Sequence, residues 1–186
     1  MSRRIAIAAG LATLLALGSL ALPATRPLVW NVSASVPTGL YAIRGKNSLH
    51  VGERIAIAPP PALRRLMAQR GYLRSGVPLL KRIAAVSGQR VCRFAHGITI
   101  DHKLVGVART RDRAGRTLPA WFGCRRIGTG QVFVMNPDAP DSFDGRYFGV
   151  TKMHEVTGRA TPIWTDEAGD GFHVWFAPPA ISEPLD

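Results

Sequence analysis

A chain of 186 residues has room for one domain and a short extra segment, which excludes a large multidomain assembly. With 46% hydrophobic, 8% aromatic and 19% charged residues, it holds too much apolar surface and too little charge for intrinsic disorder. Its 24 Lys and Arg against 12 Asp and Glu give a formal charge of +12, a field that favours lipid headgroups or nucleic acid without choosing between them.

The chain opens on Met1-Ser2-Arg3-Arg4 and then runs from Ile5 to Ala24 without a charge. At about 1.5 Å per helical residue, that run reaches roughly the 30 Å of a bilayer core. Residues 1–24 are therefore expected to form a single N-terminal transmembrane helix. The positive-inside rule keeps Arg3 and Arg4 in the cytoplasm and puts everything after Ala24 across the inner membrane, in the periplasm. A cleaved signal peptide is the other reading, because Ser19-Leu20-Ala21 offers small residues where a processing enzyme cuts; Pro23 just beyond disfavours it.

Residues 25–164 are expected to hold the folded domain. Thr25 to Pro37 reads as an extended approach ending in a shaped loop, since Val36 precedes a proline and Gly39 is free to turn. Strands are expected over Leu40–Arg44 and Arg54–Ala58. Pro59-Pro60-Pro61 starts and Gly71 stops a helix over Ala62–Tyr72, where Leu63, Leu66 and Met67 recur at helical spacing. Val77–Val86, Arg90–Phe94, Ile98–Asp101, Val105–Ala108, Gln131–Asn136 and Glu155–Ile163 read as short strands between Gly, Asp and Pro turns. The fold class is mostly β with one or two helices. From Thr165 the chain turns acidic and rich in Gly and Pro, and 165–186 are expected to be a loosely held tail.

Cys92 and Cys124 would lie in an oxidising compartment, where an even count reads as a disulfide; two free buried thiols are the alternative. A zinc site takes about four ligands, and no His or Cys stands at ligand spacing from either, so neither metal nor cofactor is expected.

Among the basic residues the only lysines are Lys46, Lys81, Lys103 and Lys152. Lys81 stands where a charge is costly, in the apolar run Pro78-Leu79-Leu80-Lys81-Arg82-Ile83-Ala84-Ala85-Val86. Burial there would draw its pKa from about 10.4 toward about 7 to 8, making it a general base that arginine, which keeps its proton, cannot be. The alternative is a lysine whose head snorkels to water or pairs with an acid at a strand edge. Ser33 and Ser35 lie in the loop before Pro37, and a Ser/Lys pair is a variant of the Ser/His nucleophile arrangement; loop serines are otherwise caps or solvated. His50, His96, His102, His154 and His173 fall in turns or strand ends and in no nucleophile motif. Asn31-Val32-Ser33 fits a glycosylation sequon, taken as chance. A third cluster, Ser142-Phe143-Asp144-Gly145-Arg146-Tyr147-Phe148-Gly149, would set Asp144, Arg146 and Ser142 on one side if extended. An Asp/Arg ion pair closing a turn is its structural alternative.

In order behind the apolar segment, NVSASVPTGLY, LLKRIAAVSGQRVC and SFDGRYFG, with GRTLPAWFGC between the last two, resemble the boxes of type I signal peptidases, in particular the TraF-like conjugative-transfer branch. The resemblance spans roughly residues 30 to 160 and implies a signal peptidase-like β domain behind one transmembrane helix. It implies Ser35 as nucleophile and Lys81 as general base, with Arg82 its usual neighbour. Ser33 would help the Ser35 backbone N–H stabilise an oxyanion. Asp144 would be the acidic residue of the last box, and Ser142 would orient the lysine. Val36, where Met is frequent, Gly145, where serine is usual, and Gln89, where Asp often follows Gly88, depart from the pattern. The activity implied is that of a membrane-anchored serine endopeptidase processing an exported precursor, a pilin of a conjugative transfer apparatus, by cleavage or by cyclisation through an acyl-enzyme. A non-catalytic, membrane-anchored component of a secretion apparatus would keep the fold without needing both Ser35 and Lys81. No nucleic-acid partner is expected, because the basic residues are scattered, no basic motif is interleaved with aromatics, and an exported domain rarely meets DNA.

Overall fold

The computed structural model describes Thr13, residues 27–74 and residues 76–178. The expected anchor over 1–24 lies outside the described residues except for Thr13. Among the described residues no helix is long and apolar enough to cross a membrane.

The larger sheet is built from β1 (Leu28–Asn31), β2 (Thr38–Arg44), β3 (Arg54–Ile57), β4 (Leu79–Ala85), β9 (Gln131–Val134), β10 (Thr151–Lys152), β11 (Val156–Asp166) and β12 (Val174–Trp175). Its order is β1-β2-β11-β3-β4-β9-β10, with β12 also on β11. β11 is the spine: β2 runs along one edge of it, while β3 and then β12 share the other. Alternate residues from Val156 to Pro162 are buried on one face of β11, the period-2 pattern of a half-covered strand. The register with β2 shifts between Pro162 and Trp164, next to the proline that has no N–H for the ladder. The smaller sheet takes β5 (Arg90–Phe94), β6 (Gly97–Ile100), β7 (Lys103–Val107) and β8 (Gly123–Arg126) in the order β7-β6-β5-β8.

Two helices complete the described fold. In α1 (Pro61–Gln69), Pro60 and Pro61 occupy the N-cap and first turn, where a missing N–H costs nothing. Gly71, at φ 70°, follows its end. The second, α2 (Gly145–Phe148), is a single turn capped by Asp144.

Because successive strand residues face opposite ways, β3 and β4 feed two cores. Ile55, Ile57, Leu79 and Ile83 pack with Val134, Phe143 and Tyr147. Ala56 and Leu80 pack with Val36, Tyr41, Ile43 and Ala160. Lys81 shares the face of Leu79 and Ile83, so the apolar layer that holds this part of the sheet also surrounds its amine. A third core, including Val91, Ile98, Phe133 and Met135, joins the two sheets.

The observed strand ends lie within a few residues of those expected. The expected strand to Asp101 stops at Ile100, because Asp101 and His102 adopt φ 47° and 72° and form the turn into β7. Gln89 accepts from Val86 N and donates to Asp101 at 2.9 Å, supplying its own turn contacts. The expectation of a loosely held tail from Thr165 does not hold through residue 178. Thr165 and Asp166 are buried and end β11, and Asp166 accepts the N–H groups of Gly169, Asp170 and Gly171. Glu167 grips Arg54 through two hydrogen bonds of 3.0 and 2.7 Å. The acidic residues and glycines that read as a tail instead build a carboxylate-capped turn before β12. Residues 179–186 lie outside the described residues.

Cys92 and Cys124 face each other on β5 and β8 and are joined. With a sequence separation of 32 between the linked positions, the double Cys→Ala variant is expected to lose about 3 to 4 kcal/mol of stability on the chain-entropy estimate, read as a lower urea midpoint. The wild type under reducing conditions should show the same shift.

Candidate active site

The loop that follows β1 is folded around one side chain. Asn31 Oδ1 accepts from Ser33 N at 3.0 Å, and Nδ2 donates to the carbonyls of Ser33, Val36 and Pro37 at 2.8, 3.1 and 3.0 Å. The Tyr41 hydroxyl donates to Pro37 O at 2.7 Å, and burial pushes its pKa up to about 12, so it remains a donor across the working pH range. Val36 is buried in the core beneath. With its neighbours fixed on both sides, Ser35 is turned toward β4.

Lys81 lies opposite Ile55 in the ladder and is only 2% exposed. Its Nζ is 2.9 Å from Ser35 Oγ and 2.9 Å from Ser142 Oγ. Burial draws the amine down from 10.5 to about 8; the Arg146 charge acts in the same direction and Asp144 opposes it. An amine so placed can take a proton from the neighbouring hydroxyl near neutral pH. Ser33 Oγ stands 3.0 Å from Ser35 Oγ and accepts from Ser35 N at 3.4 Å, so a hydroxyl and a backbone N–H adjoin on the same side of Ser35.

Asp144 and Arg146 are found together as the ion pair closing a turn that was the alternative to an extended arrangement. Asp144 is the N-cap of α2 and accepts from Arg146 N at 3.1 Å, which folds the two side chains onto each other. Arg146 Nε and Nη2 each lie 2.9 Å from the carboxylate, and both residues are almost completely buried. Nη2 also donates to the carbonyls of Asn136, Ala139 and Ser142 at 3.3, 2.8 and 3.2 Å. The pair thus gathers the 136–142 loop and presents Ser142 to Lys81 without itself bonding to Lys81. Arg82 points elsewhere, toward Asp138 at 3.4 Å.

Sequence reasoning missed Asn31 as an organiser and missed Asn136 altogether. Asn136 Nδ2 donates to Ser35 O at 2.5 Å, its Oδ1 accepts from Arg82 N at 2.8 Å, and its own N–H bonds to Asp144 at 3.1 Å. One buried residue, through its side chain and its backbone, therefore ties the Ser35 loop, the Lys81 strand and the Asp144/Arg146 pair together. Its signal was a polar residue closing the apolar run Val132–Met135 just before Pro137.

Ser33, Ser35, Lys81 and Ser142 share the wall of a cavity of about 830 Å³ whose apolar lining includes Met67, Leu79, Leu118 and Phe143. None of the described histidines lines it.

Residues 1–165 match the family described as signal peptidase, peptidase S26. The chain is 33% identical over 145 residues to the "Probable conjugal transfer protein TraF" of Sinorhizobium fredii (strain NBRC 101917 / NGR234), covering 73% of this chain and 76% of that protein. It is 32% identical over 145 residues to the "Conjugal transfer protein TraF" of Agrobacterium fabrum (strain C58 / ATCC 33970), covering 73% and 81%. Against a "Plasmid transfer protein TraF" of Escherichia coli it is 27% identical over 175 residues, covering 89% and 96%. A weak likeness extends to the crystal structure of a signal peptidase I from Enterococcus faecalis V583, with 18% identity, a TM-score of 0.37, and 62% of this chain and 98% of that one covered.

Gly145 is explained by packing: a Cβ there would stand 2.5 Å from Val134 O and 2.7 Å from the Phe133 ring. Gly145→Ser is accordingly expected to cost about 1 to 3 kcal/mol, as overpacked sites do, measured by urea unfolding. An unchanged midpoint would show that α2 can shift freely.

Proposed function

The chain belongs to the signal peptidase family, peptidase S26, and from that premise we propose that it is a membrane-anchored serine endopeptidase whose Ser35/Lys81 dyad processes an exported precursor of a conjugative transfer system, such as a pilin. The observation that carries this reading is the Lys81 amine, 2.9 Å from Ser35 Oγ and lowered to about 8 by burial. The names of the TraF relatives supply the conjugative setting.

In the proposed reaction the neutral amine accepts the Ser35 proton as Ser35 Oγ attacks the scissile carbonyl carbon. Ser142 Oγ accepts one amine N–H, which turns the lone pair toward Ser35. Negative charge gathering on the substrate oxygen is met by Ser35 N–H and the Ser33 hydroxyl. The Lys81 ammonium then gives its proton to the leaving amine, the C–N bond breaks, and an ester to Ser35 remains. Water releases that ester as an acid; an incoming amine releases it as a new peptide bond, which closes a ring when the amine is the substrate's own N-terminus.

Anchoring is proposed on the uncharged run from Ile5 to Ala24. A patch beside β1 supports it: Leu28, Trp30, Trp175 and Phe176 are all exposed, Trp30 and Trp175 both contact Trp164, and Phe176 adjoins Trp175. Such aromatic side chains suit a membrane–water interface.

The test is mass spectrometry of a pilin precursor incubated with the full chain in detergent. Ser35→Ala is expected to abolish processing, and Ser33→Ala to slow it by roughly 10² to 10³ or less, since the backbone donor remains. Asn136→Ala should lower kcat by about tenfold or more through a displaced Ser35.

Activity should rise as pH climbs through about 8, where the amine loses its proton. Lys81→Met and Lys81→Arg should both be inactive, the second because guanidinium keeps its proton; an active Lys81→Arg enzyme would assign the base elsewhere. The same shift affects stability. Burial penalises the ammonium, so the penalty is full below about 8 and vanishes above 10.5. Lys81→Met should therefore be more stable than wild type at neutral pH, by a margin that shrinks as pH rises across that window.

A further inference from the structure

The cavity that contains Ser35 has a second wall of different chemistry. A hairpin there carries arginine at alternate positions, Arg109, Arg111 and Arg113, followed by Arg116, and a bridge between Arg111 and Thr117 closes it. It is fastened to the end of α1. The Tyr72 hydroxyl donates to Asp112, Arg70 Nη1 to Thr117 O at 2.9 Å, and Arg116 Nη2 to Arg70 O at 3.0 Å. The guanidiniums therefore stand on a fixed frame.

Nearby carboxylates do not neutralise this wall. Asp112 Oδ1 accepts from Ala114 N and Arg116 N at 3.0 and 2.8 Å, and Oδ2 faces Arg116 Nε at 2.7 Å. The Tyr72 hydrogen bond, followed by those from Arg116, holds its carboxyl well below the usual range, so it stays ionised and committed to the turn. Asp141 is shared by two cations, Arg109 on Oδ1 and Arg113 on Oδ2. Arg111 donates to the Gly115 carbonyl at 2.7 Å and joins no ion pair among the described residues. Asp138, the third aspartate on the cavity wall, faces Arg82. Positive charge is left over at the rim of a cleft whose middle is apolar.

We propose that this wall is a carboxylate-binding subsite of the cleft, which takes an acidic group carried by the substrate chain: a Glu or Asp side chain, or a free C-terminus, near the scissile bond. Arg111 and the outer edges of Arg109 and Arg113 supply the donors. A guanidinium matches a carboxylate with two parallel hydrogen bonds, and tethering Arg109 and Arg113 to Asp141 reduces the side-chain entropy lost on binding. Acting away from the reacting atoms, the subsite binds ground state and transition state alike and shows in KM rather than kcat. The inference rests on the reading of this cleft as a peptide-processing site.

The test uses the full chain carrying Ser35→Ala, in detergent, and fluorescent alanine–leucine peptides in which a single glutamate is walked along the sequence. Each peptide has a glutamine twin and a C-terminally amidated copy. Glutamate at one contiguous set of positions, or a free rather than amidated C-terminus, is expected to tighten binding roughly five- to tenfold, the scale of one charge-assisted contact. Loss on amidation alone assigns the subsite to the C-terminus, and persistence assigns it to a side chain. The gain should vanish in Arg111→Gln and fade with salt. Arg111→Glu should come to prefer a lysine peptide over its glutamate counterpart, which separates charge recognition from damage to the fold. Equal affinities for charged and neutral members throughout would overturn the proposal. So would an Arg111→Gln variant altered only in its affinity for phosphatidylglycerol vesicles. Binding to Ser35→Ala is read without turnover, so failure of the peptidase reading, seen as an uncut precursor with wild-type protein, is distinguished from failure of the subsite.

Discussion

Holding an amine in an apolar layer is the constraint to which the rest of this structure answers. Lys81 occupies the middle of β4, flanked in the ladder by β3 and β9, and its face is shared with isoleucine and leucine. Lys81 is only 2% exposed in that layer, so the ammonium loses solvation while the neutral amine loses little. The charges closest to it are paired with each other. Asp144 and Arg146 act on the amine in opposite directions, and closing them into a buried ion pair leaves burial as the larger influence. Their geometry is satisfied locally, with the Arg146 guanidinium on three loop carbonyls as well as the carboxylate. That is the condition under which a buried pair avoids a heavy desolvation penalty.

A reactive hydroxyl beside such an amine must be held from outside the layer, and two asparagines do this from opposite sides. Asn31 folds the loop on itself, and Asn136 pins the Ser35 carbonyl to the β4 backbone. Both departures from the signal peptidase pattern near the site fall on buried residues. Val36 is buried in the core that includes Tyr41 and Ala160, so the side chain there is an apolar one. Gly145 passes so close to Val134 and Phe133 that a Cβ does not fit.

What could be read from the sequence follows from how local each signal is. Strands such as Leu40–Arg44 and Arg54–Ala58 announced themselves by apolar runs between turn residues, and Lys81 stood out because lysine is scarce in this chain and that one lay in such a run. The disulfide needed only the cysteine count and the compartment. Asn136 was not visible as part of the site because its partners are Ser35, Arg82 and Asp144, up to 101 residues away. α2 is too short for periodicity to reveal, and only the helix N-cap at Asp144 decides between an extended arrangement of Asp144 and Arg146 and an ion pair that closes a turn. The stretch after Thr165 misled by composition: acidic residues and glycines suit both a solvated tail and a turn whose carboxylate caps successive N–H groups, and only the pairing of β12 with β11 decides between them.

Burial lets Lys81 give up its proton near 8 rather than at the ordinary lysine value, and the chain is suited to a direct measurement because it has only four lysines, Lys46, Lys81, Lys103 and Lys152. Protein labelled with ¹³C at lysine Cε can be titrated by NMR, with Lys81→Met to assign the missing signal. One resonance titrating near 8, absent from Lys81→Met, is the expected result. Four resonances all titrating near the ordinary lysine value of about 10.4 would contradict it.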